Sequence, residues 1–241
     1  RRHHSQRVAI AFQHVNIAMS VSRHGAGIDQ RRVASHGPIL RRACFAVAGD
    51  GVDAVGAADG TLTGTTTVAG DFGDALTFDE SSDRVTVPDF AYGSDLTLSF
   101  EFKLDDNAGT GFQYIYSHGD VDFANAINVF LTEDTHSTVP NLLRTVARDS
   151  DDTLSNSALD VNIASLVGDG LWHTYTLTTG RNGLTVWLDG VVVASDTTRG
   201  TDLIDPAGPV TLGAREDLSA GRFYGGGLDT VLIYNRALTA A

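Results

Sequence analysis

The chain has 241 residues, with 26 glycines, five prolines and one cysteine, enough length to close a large hydrophobic core with no internal disulfide. The formal charge of −13 hides a split: residues 1–44 carry eight arginines, five histidines and the single acid Asp29, whereas from Phe45 onward 29 acids face nine bases, a balance of −20. An acidic body of that kind excludes nucleic acid and anionic membrane as partners, because both demand clustered cations, and it favours cation binding.

Residues 1–44 show no sustained period. Val8, Phe12, Val15 and Met19 are spaced for a short amphipathic helix. The apolar run Val8–Phe12 is too short for a secretory core, and no segment approaches the ~20 apolar residues of a membrane-spanning helix, so membrane insertion is not expected. Composition breaks abruptly near Cys44. The expectation is an irregular basic extension over 1–44, disordered or non-native, with Cys44 a free thiol. His3, His4 and His14 lack the spacing of a metal site.

Beyond Phe45 the pattern changes to short β runs separated by Gly, Asp and Thr. FAVAGDGVDAVGAADGTLTG reads as a brief opening strand followed by loops. Strands are expected at Asp74–Phe78, Arg84–Val87 and Asp95–Leu104. In the last, Leu96, Leu98, Phe100, Phe102 and Leu104 share one face, and Thr97, Ser99, Glu101 and Lys103 the other. Phe112–His118, Ala126–Thr132, Asn141–Ala147 and Leu159–Ile163 follow. The clearest stretch is GDGLWHTYTLTTGRNGLTVWLDGVVVAS at 168–195, a meander of Leu171–Thr179, Leu184–Leu188 and Val191–Ala194. Its turns are Gly180-Arg181-Asn182-Gly183 and Asp189-Gly190, the second a two-residue type I′ connection. Pro209–Gly213 and Gly227–Tyr234 complete the series. With no helix of more than two turns required, the fold class is all-β, an antiparallel two-sheet sandwich over residues 45–241.

Four segments carry a family resemblance: ALTFDESSDRVTVPD at 75–89, DLTLSFEFKL at 95–104, GLWHTYTLTTGRNGLTVWLDGVVVAS at 170–195 and GGGLDTVLIYNRALTAA at 225–241. In order and spacing they resemble the laminin-G-like, concanavalin A-like jelly roll of lectins and glucanases. Members continue past the Arg-Ala-Leu, so the resemblance implies a domain cut short at its C-terminus. It further implies a noncatalytic module of a secreted or cell-surface multidomain protein, binding a glycan or protein ligand and often holding a structural calcium. Two alternatives share the sandwich: a glycoside hydrolase or lyase, and a structural spacer in a large adhesin.

Calcium takes six to eight oxygen ligands. Asp229, in the segment resembling the family's metal-bearing strand, is the first expected ligand, with Asp50, Asp53 and Asp59 of the opening loop as partners. The same aspartates also read as turn caps. Asp149, Asp151 and Asp152 read as a solvated turn.

Glycoside hydrolysis ordinarily needs two facing carboxyls. No Glu-x-Asp-x-Glu string is present; Glu101 shares its face with Lys103, and Glu80, Glu133 and Glu216 stand alone among turn residues. There is no Gly-x-Ser-x-Gly elbow, and His173 beside Trp172 reads as structural. For ligand binding, the expected set is Tyr114, Tyr116 and His118 on one side of a strand, Asp122 and Asn128 after it, Arg144 from a neighbouring run, and Trp187 opposite Leu188. Trp172 is assigned to the core.

Overall fold

The computed structural model describes the backbone of residues 43–47 and, in full, residues 49–51, 58–70, 73–90, 95–119, 125–148, 158–180, 183–197 and 206–238. The strands are β1 (Ala43–Val47), β2 (Thr61–Thr63), β3 (Thr66–Ala69), β4 (Asp74–Asp79), β5 (Arg84–Val87), β6 (Leu96–Leu104), β7 (Phe112–His118) and β8 (Ala126–Thr132). They continue with β9 (Leu142–Arg148), β10 (Ala158–Asn162), β11 (His173–Gly180), β12 (Gly183–Leu188), β13 (Val191–Asp196), β14 (Val210–Leu212) and β15 (Gly225–Tyr234). Among the described residues there is no helix.

The strands form two antiparallel sheets. One has eight strands, in the order β13-β12-β11-β6-β15-β4-β3 with β1 also on β15; the other has seven, in the order β10-β9-β8-β7-β14-β5-β2. This is the expected jelly-roll sandwich. β15 sits at its seam: Gly225–Leu228 pair with β4, Val231–Tyr234 pair with β1, and β6 runs along the other side. β1 begins at Ala43, two residues before the boundary expected at Phe45. β2 and β3 lie where loops were expected, because their threonines are largely exposed and give no apolar alternation to read. The 1–42 segment, including the Val8–Met19 helix, lies outside the described residues.

Alternation builds the core. Leu96, Leu98, Phe100, Phe102 and Leu104 are each at most 3% exposed and pack with Ile115, Tyr116, Val129, Leu131, Leu143 and Ala147 of the opposite sheet. The Phe100 and Tyr175 rings, opposed in register, stack at 4.7 Å. The Tyr175 hydroxyl then crosses the sandwich to Thr145 Oγ1 at 2.7 Å, joining the two sheets through a buried hydrogen bond. Burial drives the Tyr175 phenol far above its ordinary range, so it stays protonated.

The meander forms as read. Asp189 and Gly190 have φ of 49° and 76°, the pair of left-handed residues that a type I′ turn requires. His173 fastens this turn: its Nδ1 is 2.8 Å from Asp189 Oδ2 and its Nε2 3.1 Å from Asp169 Oδ2, while Asp189 Oδ1 accepts from the Thr174 amide. Its structural reading therefore holds. Trp172 does not fill the core. Its ring lies against Gly227 on the outer face of the eight-stranded sheet, where an added Cβ would come within 2.5 Å of it.

Replacing Tyr175 by Phe strands the Thr145 hydroxyl in the core and should lower the unfolding free energy by about 1–3 kcal/mol in urea titrations. The double variant Tyr175→Phe with Thr145→Val should recover part of that loss, since neither polar group is then left unpaired.

Candidate functional site

The site originates in a β-bulge. Tyr114 pairs with Phe130, but Tyr116 pairs with Val129 and Ser117 with Asn128, so β7 carries one residue more than its partner. Ile115 and Tyr116 consequently both enter the core. The strand changes phase across them, and Phe112, Tyr114 and Ser117 share the outer face of the seven-stranded sheet. β8 adds Asn128 and Phe130 to that face, alternating with core Ile127, Val129 and Leu131. β9 adds Arg144, Val146 and Arg148, and β10 adds Ala158 and Asp160 opposite them.

On this face the aromatic rings form a second apolar cluster, separate from the core, of Tyr114, Phe130 and Val146 with Phe112 and Ala158 at its edge. Tyr114 stacks on Phe130 at 4.7 Å, Phe112 meets Phe130 edge-on at 5.6 Å, and His136 closes on Phe112 at 4.9 Å. Over the cluster lies a hairpin between β14 and β15, closed by the Ala214–Phe223 bridge and the Arg215 amide to Arg222 oxygen bond. It lays Arg222 over the Phe112 ring at 4.2 Å and Arg215 above Tyr114 at 5.9 Å.

The next residue, Glu216, reaches the sheet. Its amide donates to Ser117 Oγ, and the Ser117 hydroxyl lies between the Glu216 carboxylate and Asn128 Oδ1. Ser117 and Asn128 are at most 1% exposed. One hydroxyl proton serves two acceptors there, and Glu216 Oε1 is buried without a hydrogen-bond partner among the described residues.

Electrostatics divide the cations of this face into two kinds. Arg144 is held bidentately by Asp160 at 2.7 and 2.8 Å, and Arg215 by Asp217 at 2.8 and 2.6 Å. The Arg215 guanidinium, with Ser219, keeps the Asp217 carboxyl well below the usual carboxylate range. Arg222, by contrast, has no carboxylate within salt-bridge distance among the described residues. Burial raises the Tyr114 phenol, opposed by the charges of Arg215 and Arg222 near it.

Of the expected ligand set, Tyr114, Asn128 and Arg144 come together here. Tyr116 does not, because the bulge turns it into the core at 1% exposure. His118 falls on the core side for the same reason, fully buried, with Nε2 2.9 Å from Gly208 O and its ring beside Phe90. Trp187 belongs to the outer face of the other sheet, opposite in phase to buried Val186. Asp122 lies outside the described residues. Phe112, Ser117, Phe130, Arg215, Glu216 and Arg222 escaped the sequence reading. The first three follow from the period-two pattern once the bulge is known; the hairpin residues carry no local signal.

The expected calcium ligands do not assemble among the described residues. Asp229 is 3% exposed and accepts from Thr230 Oγ1, with Glu101 opposite it in register and also buried. Asp50 and Asp59 are exposed, and no group of three His, Cys, Asp or Glu able to hold a metal is found among the described residues. Asp53, Asp149, Asp151 and Asp152 lie outside them. Glu133 accepts the Gly111 amide beside the base of the hairpin, where the Gly221 carbonyl also borders Gly111; burial first, then the charges of Glu133 and Asp106, raise the Glu80 carboxyl.

A family model described as the concanavalin A-like lectin/glucanases superfamily matches residues 79–241. No curated protein sequence matches the chain. Among solved structures, domain 4 of an extracellular arabinanase from Geobacillus stearothermophilus, in complex with arabinotriose, is similar at 18% identity and a TM-score of 0.58, over 82% of this chain and 94% of that one. The binding domain of Paraclostridial Mosquitocidal Protein 1 is similar at 16% identity and TM-score 0.60, over 84% of this chain and 51% of that one. A Trypanosoma rangeli sialidase in complex with 2,3-difluorosialic acid is similar at 12% identity and TM-score 0.61, over 84% of this chain and 32% of that one. At these identities the likeness shows the fold.

Because the folded state depresses the Asp217 carboxyl, its contribution to stability is present above the unfolded value near pH ~4 and is lost as pH falls through the folded one. In a carboxyl carbon NMR titration, Asp217 should still be ionised where ordinary aspartates are half protonated. Arg215→Gln should bring its midpoint back toward the ordinary range.

Proposed function

The chain belongs to the concanavalin A-like lectin/glucanases superfamily, and from that premise we propose that it is a noncatalytic saccharide-binding module acting through the outer face of the seven-stranded sheet. The observation that carries this reading is the buried polar floor of Ser117, Asn128 and Glu216 beside the Tyr114–Phe130 stack. Saccharide sites combine aromatic faces with a few fixed polar groups, and here half-buried Glu216 lies over the Ser117–Asn128 pair beside the rings. The similar arabinanase domain, in complex with arabinotriose, supports a saccharide ahead of a protein ligand.

The noncatalytic part rests on the carboxylates. Hydrolysis of a glycosidic bond ordinarily uses two, whereas Asp160 and Asp217 are each bound bidentately by an arginine and Glu133 is tied to the Gly111 amide, leaving Glu216 as the carboxylate beside the Tyr114–Phe130 stack. A place in a larger secreted or cell-surface protein is part of the proposal, supported by similar folds that occur within longer chains and in an extracellular enzyme. A structural calcium, with Asp229 as first ligand and Asp50, Asp53 and Asp59 of the opening loop as its partners, is a subordinate proposal resting on the family resemblance; it predicts a melting temperature several degrees higher in calcium than in chelator, and an unchanged value removes it.

On a glycan array the chain should retain at least one neutral or acidic oligosaccharide, with no reducing ends released on prolonged incubation. Glu216→Gln should weaken binding by about tenfold, ~1.4 kcal/mol, with the melting temperature little changed. Retention of no glycan, or turnover that Glu216→Gln abolishes, would overturn the reading.

A further inference from the structure

The acidic body places its few cations unevenly. Of the seven described basic side chains beyond Phe45, Lys103 and Arg236 lie elsewhere, while Arg84, Arg144, Arg148, Arg215 and Arg222 all stand on the outer face of the seven-stranded sheet or on the hairpin that crosses it. Facing them among the described residues are Asp160, Glu216 and Asp217, with Glu133 beside the base of the hairpin, where its carboxylate and the Gly221 carbonyl both border Gly111. Five guanidiniums against four carboxylates, on a body whose balance is −20, suit this face, among the described residues, to an anion.

The cations differ in what they still have to offer. Arg144 and Arg215 have their forks filled by Asp160 and Asp217. Arg148 has a partner of its own, and Arg84 donates to the Ser82 carbonyl on the far side of the hairpin. Arg222 is different: its guanidinium is fixed in place by the Phe112 ring at 4.2 Å, half-buried, with no carboxylate in reach among the described residues. His136 flanks the same ring and accepts the Val139 amide at Nδ1, which leaves Nε2 as the proton-bearing nitrogen of the neutral ring. Stacking restrains the guanidinium before any ligand arrives, and a planar fork matches a planar carboxylate with two parallel hydrogen bonds, the mode that Asp160 and Asp217 already display beside it.

We infer that the saccharide bound on this face is a carboxylated one, a uronate-containing chain whose carboxylate seats on Arg222 while its hydroxyls meet the half-buried Glu216. The inference rests on the saccharide-binding reading and adds the ligand's charge and the residue that selects it. A free carboxylate at Arg222 must also tolerate Glu216, so the two groups address different parts of the ligand.

Calorimetry with the full chain tests it, using oligogalacturonate, oligoglucuronate and oligomannuronate, each beside its neutral methyl ester, and a sulfated, carboxyl-free galactan oligosaccharide. At least one uronate should bind about tenfold tighter than its ester at low salt, and the advantage should shrink in high salt. Arg222→Gln should abolish that difference, bringing the uronate down to the level of its ester, with the melting temperature in place; Arg222→Lys should keep the charge attraction and lose part of the advantage. Equal binding of acid and ester, a preference that survives Arg222→Gln, or tighter binding of the sulfated galactan would overturn the inference while the saccharide reading stands. If neither these probes nor any neutral glycan binds, the saccharide reading itself falls.

Discussion

The extra residue that β7 carries opposite β8 sets which of its side chains enter the core and which lie on the outer face of the sheet. A regular strand would send Phe112, Tyr114, Tyr116 and His118 to one face. With the bulge, Ile115 and Tyr116 both enter the core, and Ser117 takes the outward position beside Asn128. Bulges are a recurrent way of re-aiming one side chain next to a binding site. Here the result is a small buried hydroxyl within reach of Glu216, where a fully regular strand would have put a tyrosine. The aromatic surface on one side and the polar floor on the other both follow from that single change of phase.

The rest of the sandwich keeps this face in position. Phe100 stacked on Tyr175, and Tyr175 bonded to Thr145, connect the middle of the eight-stranded sheet to β9, which bears Arg144 and Arg148 on its opposite side. β9 therefore cannot shift along β8 without breaking a buried bond, and a one-residue slip would exchange its core and outer faces. The hairpin after β14 is anchored more lightly, by backbone bonds at its base and by two arginines lying on aromatic rings.

Charge is handled by pairing rather than by exclusion. A body with 29 acids could not collect five arginines on one face without some of them being neutralised, and Arg144 and Arg215 are. Their bidentate pairs with Asp160 and Asp217 fix the geometry of the site and contribute little net charge. What remains distinctive is Arg222, set by an aromatic ring in place of an acid. His173 shows the same economy at the opposite sheet, where two aspartates hold one imidazole and with it the turn that closes the meander.

The alternation in Leu96–Leu104, the Asp-Gly turn at 189–190 and the spacing of the other runs determined an all-β sandwich by themselves, because burial on one side of a pleated strand leaves a period-two record in the sequence. The thin edge strands β2 and β3 left no such record, since exposed threonines suit a strand and a loop equally well. That Tyr114, Asn128 and Arg144 lie on one face was legible for the same reason the strands were. Tyr116 and His118 were misassigned because a bulge inverts the period and has no signature of its own in Tyr-Ile-Tyr. Trp187 was misassigned because a strand's sequence tells which residues share a face but not which sheet that strand joins. Glu216 and Arg222 lie about 100 residues from the ring and hydroxyl they meet on β7. Only the pairing of β14 with β7, a contact between distant parts of the chain, brings that hairpin over the sheet, and long-range pairing of this kind is fixed by the packing of the whole core and by no local pattern.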